Sequence, residues 1–167
     1  MAPARARGHR RRRPGRGTPE REGDRRVTPS TAQPRIPPPR ALVLCIDDDP
    51  LVLRFYEGFL AGHGYQTVTA TDGLLAIQIA QQACPDVILL DVMLRGLSGY
   101  DICRIVRADP TLGDIPIILV TVWDDPGVAT IGRAAGATRT LHKTADVQRI
   151  AHAINEVLGF PGDPAAG

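Results

Sequence analysis

The chain has 167 residues, and its formal charge of +2 at pH 7 conceals two unlike parts. Residues 1–40 hold twelve Arg, three acids (Glu20, Glu22, Asp24), eight Pro and no aromatic, a formal +9, while residues 41–167 hold eight basic and fifteen acidic residues, a formal −7. Val27 and Ile36 are the first part's only apolar side chains beyond Met1 and some Ala. It cannot bury enough surface to offset its ordering entropy, so it is expected to be a disordered basic Arg/Pro-rich tail; the remainder suffices for one core. Cys45, Cys84 and Cys103 lack metal-ligand spacing, as expected of reduced thiols. No apolar run approaches the ~18 residues of a membrane span, and the arginine-rich start lacks the apolar stretch of a secretory signal. The expectation is a cytoplasmic protein with no membrane partner.

Leu42–Ile46, Val87–Leu90 and Ile117–Val120 are continuous apolar runs, which suit parallel strands buried on both faces. Weaker strands are expected at Gln66–Ala70 and Arg139–Leu141. The first helix opens on an Asp49 cap with Pro50 at its first position. It carries Val52, Phe55, Tyr56, Phe59 and Leu60 at helical spacing and ends at Gly62-His63-Gly64. A second helix follows Thr71-Asp72 and runs to Cys84, before Pro85. A third spans 99–109, with Ile102, Ile105 and Val106 on one face. Residues 127–135 make a weaker helix, because Gly127, Thr130 and Gly132 have low propensity. The last helix, from about Ala145 to Leu158, carries Val147, Ile150, Ala151, Ile154 and Val157 as a stripe, and Gly159 and Pro161 close it. Residues 159–167 are expected to form a short flexible tail.

Five strands alternating with five helices predict a doubly wound α/β fold with a five-stranded parallel sheet, joined by right-handed crossovers. Ligands of such sheets bind at the carboxyl ends of the strands. There the sequence places Asp47, Asp48 and Asp49 after the first strand, Asp91 at the end of the third and Thr121 at the end of the fourth. Lys143, the only lysine beside nineteen arginines, follows the fifth. Taken singly, these are ordinary turn residues, and Asp49 reads best as a helix cap. Taken together, the carboxylates need a cation between them, and oxygen ligands suit a hard one such as Mg²⁺. A lysine and a threonine hydroxyl supply what the oxygens of a phosphoryl group require. With Asp91 as nucleophile, the set is equipped for phosphoryl transfer onto a carboxylate.

These residues stand in the stretches LVLCIDDDP from Leu42, PDVILLDVM from Pro85, GLSGY from Gly96, PIILVT from Pro116, Gly136-Ala137 and Lys143. Thirty positions separate Asp91 from Thr121, and twenty-two separate Thr121 from Lys143. In all this, the sequence from about 41 to 158 resembles the receiver domain of two-component response regulators, of the single-domain type. The resemblance implies a flavodoxin-like sheet in the order 2-1-3-4-5. It also implies that Asp91 is the phosphoacceptor, supplied by a sensor histidine kinase or phosphotransfer protein. Asp47, Asp48, Asp91 and the Met93 backbone carbonyl would be the Mg²⁺ ligands, and Thr121 and Lys143 would contact the phosphoryl group. The output would be a conformational change of the helix 4–strand 5–helix 5 face toward an unidentified protein target.

Four positions depart from the family pattern: Arg95 and Thr144 stand where proline is usual, Val122 where a small residue is usual, and Thr140 where an aromatic is common. Met93 and Trp123, two residues past Asp91 and Thr121, are placed to shield an acyl phosphate from water. The weak fourth helix is expected to be the most mobile element. The fifth-strand region lacks paired aspartates, so a partner other than a second receiver is expected. Only nine residues follow Leu158, so no effector region is expected. The basic tail has three open readings: an electrostatic contact to nucleic acid, a loose fold-back on the acidic domain, or a mis-assigned start. Two other functional readings stay open: a phosphohydrolase passing through an aspartyl phosphate, although its usual second aspartate would fall at Met93, and a binding module that works without phosphorylation.

Overall fold

The computed structural model describes residues 39–143 and 146–161. In chain order the elements are β1 (Leu42–Ile46), α1 (Pro50–Gly62), β2 (Gln66–Ala70), α2 (Gly73–Ala83), β3 (Val87–Asp91), α3 (Gly99–Ala108), β4 (Ile117–Thr121), α4 (Pro126–Ala135), β5 (Arg139–His142) and α5 (Gln148–Leu158). The strands form one parallel sheet in the order β2-β1-β3-β4-β5, the expected α/β architecture.

The continuous apolar runs are explained by the helices on both faces. Alternate residues of each central strand point to opposite cores. Leu44, Ile46, Ile88, Leu90, Ile117 and Leu119 pack with Ala76, Ala80, Ile102 and Val106 of α2 and α3. Val43, Cys45, Val87, Leu89, Ile118 and Val120 pack with Leu53, Tyr56 and Leu60 of α1 and Ile150 and Ile154 of α5. Strands with two apolar faces must lie inside the sheet, and β1, β3 and β4 do. The half-exposed β2 and β5 form the edges.

Local chemistry fixes the helix ends. The side chains of Asp49, Asp72 and Asp125 accept from Leu51, Leu75 and Gly127 N–H, and Ser98 with Asp101 closes a capping box on α3. α4 forms from Pro126 despite its poor propensity, because Val128, Gly132 and Ala135 are buried on the sheet. Gly132 is needed there: a Cβ would lie 2.7 Å from Thr140 Oγ1 and 3.0 Å from Leu119 Cδ1.

Several expectations shift. The buried stripe of α1 is Leu53, Tyr56 and Leu60, whereas Phe55 is exposed and stacks on Phe59 instead. Ile105 faces outward from α3. α5 begins at Gln148, with Val147 as its cap, and Thr144 and Ala145 lie outside the described residues. Two residues assigned to the tails belong to the packed domain. The Arg40 guanidinium donates to Asn155 Oδ1 at 3.2 Å and lies over the Tyr65 and Phe160 rings at 5.5 and 5.3 Å, and Phe160 packs against the α1–α5 core. Asn155 is buried and also accepts from Tyr65 Oη at 2.5 Å. The rest of the basic tail, and with it the nucleic-acid reading, lies outside the described residues.

Arg107 of α3 ties the ends of β4 and α4 together. Its Nε donates to Gly136 O at 2.8 Å, and its Nη1 to Gly113 O at 2.9 Å and Ile115 O at 2.7 Å. Arg107→Met, which keeps the aliphatic stem but strands these carbonyls, is expected to cost about 2 kcal/mol, read as a lower urea midpoint with an unchanged slope.

Candidate functional site

The parallel register aligns the strand ends into one rim. Ile46 pairs with Leu90, so Asp47 lies level with Asp91. Asp91 pairs with Val120, which places Thr121 one residue further along β4. Thr121 pairs with His142, and Lys143 N donates to Thr121 O at 2.6 Å, which brings the lysine to the same rim.

Three carboxylates converge there: Asp47, Asp48 and Asp91 each present an oxygen within 4.8 Å of the others. Asp47 and Asp91 are buried. The Lys143 ammonium reaches both, at 2.7 Å from Asp47 Oδ2 and 3.3 Å from Asp91 Oδ2, and is itself only 22% exposed. Asp47 Oδ1 also accepts from Asp49 N–H at 3.0 Å. Asp49 is exposed and serves as the α1 cap, as expected. Thr121 is buried, with its Oγ1 accepting from Trp123 N–H at 3.2 Å.

The loop after β3 is held close by Gly99 at the start of α3. Its N–H donates to Val92 O at 3.0 Å, and a Cβ there would drive into the Asp91 carbonyl oxygen and lie 2.9 Å from Val92 Cα. The Met93 N–H hydrogen-bonds the Asp91 carboxylate. The Met93 and Trp123 side chains are half-exposed, and Val122 more so.

Burial raises the Asp91 pKa above its ordinary value; Lys143 opposes this, Asp47 adds to it, and the Met93 N–H lowers it. For Lys143, burial lowers the pKa, but the hydrogen bond to Asp47 and the charges of Asp91 and Asp47 outweigh it and hold the amine above its ordinary value. Beneath the cluster, burial first and then the Asp47, Cys45 and Asp91 charges push the Tyr56 phenol up. Burial, then Glu57 and Asp47, push the Cys45 thiol up to about 12, which leaves it inert. Of the residues singled out from sequence, Asp47, Asp48, Asp91 and Lys143 are in direct proximity, Thr121 lines the same rim, and Met93 reaches Asp91 through its N–H and not through the carbonyl singled out from sequence.

Arg95 contributes to the site without having been assigned to it. Arg95 was visible only as a departure from the family pattern, yet its Nε donates to Asp48 Oδ2 at 2.9 Å.

A charged rim at the carboxyl edge of a 2-1-3-4-5 parallel sheet defines a receiver-type α/β domain. The response regulator receiver domain family matches residues 43–155. Protein PilH of Pseudomonas aeruginosa is 33% identical over 118 residues, 71% of this chain and 98% of PilH. Response regulator PleD of Caulobacter vibrioides is 39% identical over 106 residues, 64% of this chain; the match spans only 23% of PleD. Among solved structures, the chemotaxis response regulator CheY4 of Vibrio cholerae superposes with a TM-score of 0.67 at 31% identity, covering 71% of this chain and 98% of that one. The chain therefore belongs to the response regulator receiver domain family, the receiving module of two-component signalling.

The raised Asp91 pKa has a consequence for stability. A carboxyl whose folded pKa exceeds its unfolded one contributes stability below the unfolded value and loses it as pH rises through the folded value. Asp91→Asn, which leaves Lys143 paired with Asp47, is expected to raise the Tm at pH 7 without divalent metal. The advantage should shrink as pH falls toward 4, as calorimetry across that range would show.

Proposed function

We propose that this protein is a phosphoacceptor of two-component signalling in which Asp91 receives a phosphoryl group from a phosphohistidine on a sensor kinase or phosphotransfer protein. The observation that carries the reading is the convergence of Asp47, Asp48 and Asp91 within 4.8 Å, with Lys143 bridging two of them. An Asp91 carboxylate oxygen attacks phosphorus; the N–P bond breaks, and the imidazole nitrogen leaves with the electron pair. Lys143 pairs with a phosphoryl oxygen while keeping its hold on Asp47, and the Thr121 hydroxyl donates to another. Water later attacks phosphorus, which restores the carboxylate and releases phosphate. The protein assists its own phosphorylation and dephosphorylation without turning over small phosphate esters.

The donor set fits Mg²⁺: carboxylate oxygens of graded burial, with no nitrogen or sulfur ligand among them. Asp47, Asp48, Asp91 and the Met93 carbonyl would hold it. When bound, it supplies positive charge to the phosphoryl oxygens and offsets the repulsion among the carboxylates.

Delivery requires a partner surface beside Asp91. An apolar cavity of about 320 Å³ lies between α1 and the start of α5, lined in part by Leu51, Phe55, Leu141, Val147 and Ile150, and it reaches Lys143. Output is carried by the α4–β5–α5 face. Thr121 accepts from Trp123 N–H, and His142 Nε2 lies 2.8 Å from Val122 O, so a shift of the Thr121 hydroxyl toward a phosphoryl group would be felt on β5 and at the root of α4. This path does not need the aromatic that Thr140 replaces. No helix among the described residues is long and apolar enough to cross a membrane.

Incubation with acetyl phosphate and Mg²⁺ is expected to add one phosphoryl group to the wild-type protein by intact mass, and none to Asp91→Ala or after chelation. Labelling that survives in Asp91→Ala would remove the assignment of the nucleophile. Steady turnover of p-nitrophenyl phosphate would favour a phosphohydrolase. Once the protein is labelled, Trp123→Asn is expected to speed loss of the phosphoryl group severalfold, because Trp123 then no longer shields the phosphorus from water; an unchanged decay rate would assign Trp123 to partner contact alone.

A further inference from the structure

Arg95 is one of the positions at which this chain departs from its family's pattern. It lies in the loop between β3 and α3, four residues after Asp91, and precedes Gly96, whose φ of +87° turns the chain. Its guanidinium crosses to the β1–α1 loop, where Nε pairs with Asp48 Oδ2 at 2.9 Å. The two basic groups divide the acidic cluster between them. Lys143 holds Asp47 and Asp91 from within, whereas the Arg95 side chain is 85% exposed and meets Asp48, the least buried carboxylate, from the solvent side. A dication arriving from solvent meets one positive charge already seated on the carboxylate it reaches first.

We propose that Arg95 is an internal counter-ion that occupies Asp48 in the metal-free protein and yields it to the divalent cation, so that it sets the metal concentration at which the site becomes competent. The inference rests on the preceding reading of the carboxylates as an Mg²⁺ site. Guanidinium and dication cannot share Asp48 without cost, because both are positive and a guanidinium offers no lone pair to a metal. An exposed ion pair is individually weak, so Arg95 shifts the affinity and does not abolish binding. Arg95 is thus a positioning residue for metal loading; it is not assigned a contact with the transferred group.

The test is calorimetric titration of the full chain with MgCl₂ at fixed ionic strength, with Trp123 fluorescence as an independent readout. Four proteins are compared: wild type, Arg95→Gln, Arg104→Gln and Asp48→Asn. Arg104 is an exposed α3 arginine paired with Asp101, so its variant removes the same net charge away from the cluster. Arg95→Gln is expected to bind Mg²⁺ about three- to tenfold more tightly than wild type. Arg104→Gln should bind like wild type and Asp48→Asn far more weakly, and added salt should narrow the gap between wild type and Arg95→Gln. Affinity in Arg95→Gln equal to or weaker than wild type, with Asp48→Asn still impaired, would overturn the counter-ion role and leave the metal reading standing. Equal tightening in Arg104→Gln would reduce it to a net-charge effect and overturn it too. Wild-type binding that is absent, or indifferent to Asp48→Asn, would remove the metal reading and the inference together.

Discussion

The structure is organised around a repulsion. Three carboxylates sit within 4.8 Å of one another, two of them buried, with the Lys143 ammonium reaching two of the three. Nothing in the local chemistry of Asp47 or Asp91 would gather them; the sheet does. Parallel pairing of β1 with β3 and β3 with β4 fixes where each strand ends. The apolar residues on both faces of those strands supply the free energy that holds the register against the charges. The site is costly by itself, and the two cores offset that cost.

This division explains why the cluster lies at the interior strands of the sheet. β2 and β5 are half-exposed edge strands, whereas β1, β3 and β4 are clamped between α1 and α5 on one side and α2, α3 and α4 on the other. Gly99 brings α3 up against the end of β3, closer than any side chain would allow, and the Asp48–Arg95 pair ties the loop after β3 to the loop after β1. The loops that carry the chemistry are therefore short and pinned from both ends.

Most of the fold and the four charged groups of the rim were legible in the sequence, because continuous apolar runs and strand-terminal polar residues are local signals. What was not legible depends on side chains that meet from distant segments. The α1 stripe was read with Phe55 inward, since periodicity gives an apolar arc and not its centre; the helix turns Leu53 to the core and leaves Phe55 stacked on Phe59. Composition assigned Arg40 to the tail and Phe160 to the fray, yet cation–π stacking between them and a shared buried Asn155 bind both to the domain. Arg107 gave no sequence signal at all, because its partners are backbone carbonyls.

Arg95 shows the same blindness in a more consequential place. The sequence showed only that proline is missing there, whereas the side chain that replaces it makes a tether of a different kind. A proline would stiffen the loop at every stage of the phosphorylation cycle; an ion pair to Asp48 holds the loop only while Asp48 is not otherwise engaged. Under the proposed chemistry, the Arg95–Asp48 pair and metal loading then become linked equilibria, each opposing the other through one carboxylate. The pair is made when the site is empty of metal and given up when it is loaded, whereas a proline at position 95 would act alike in both states.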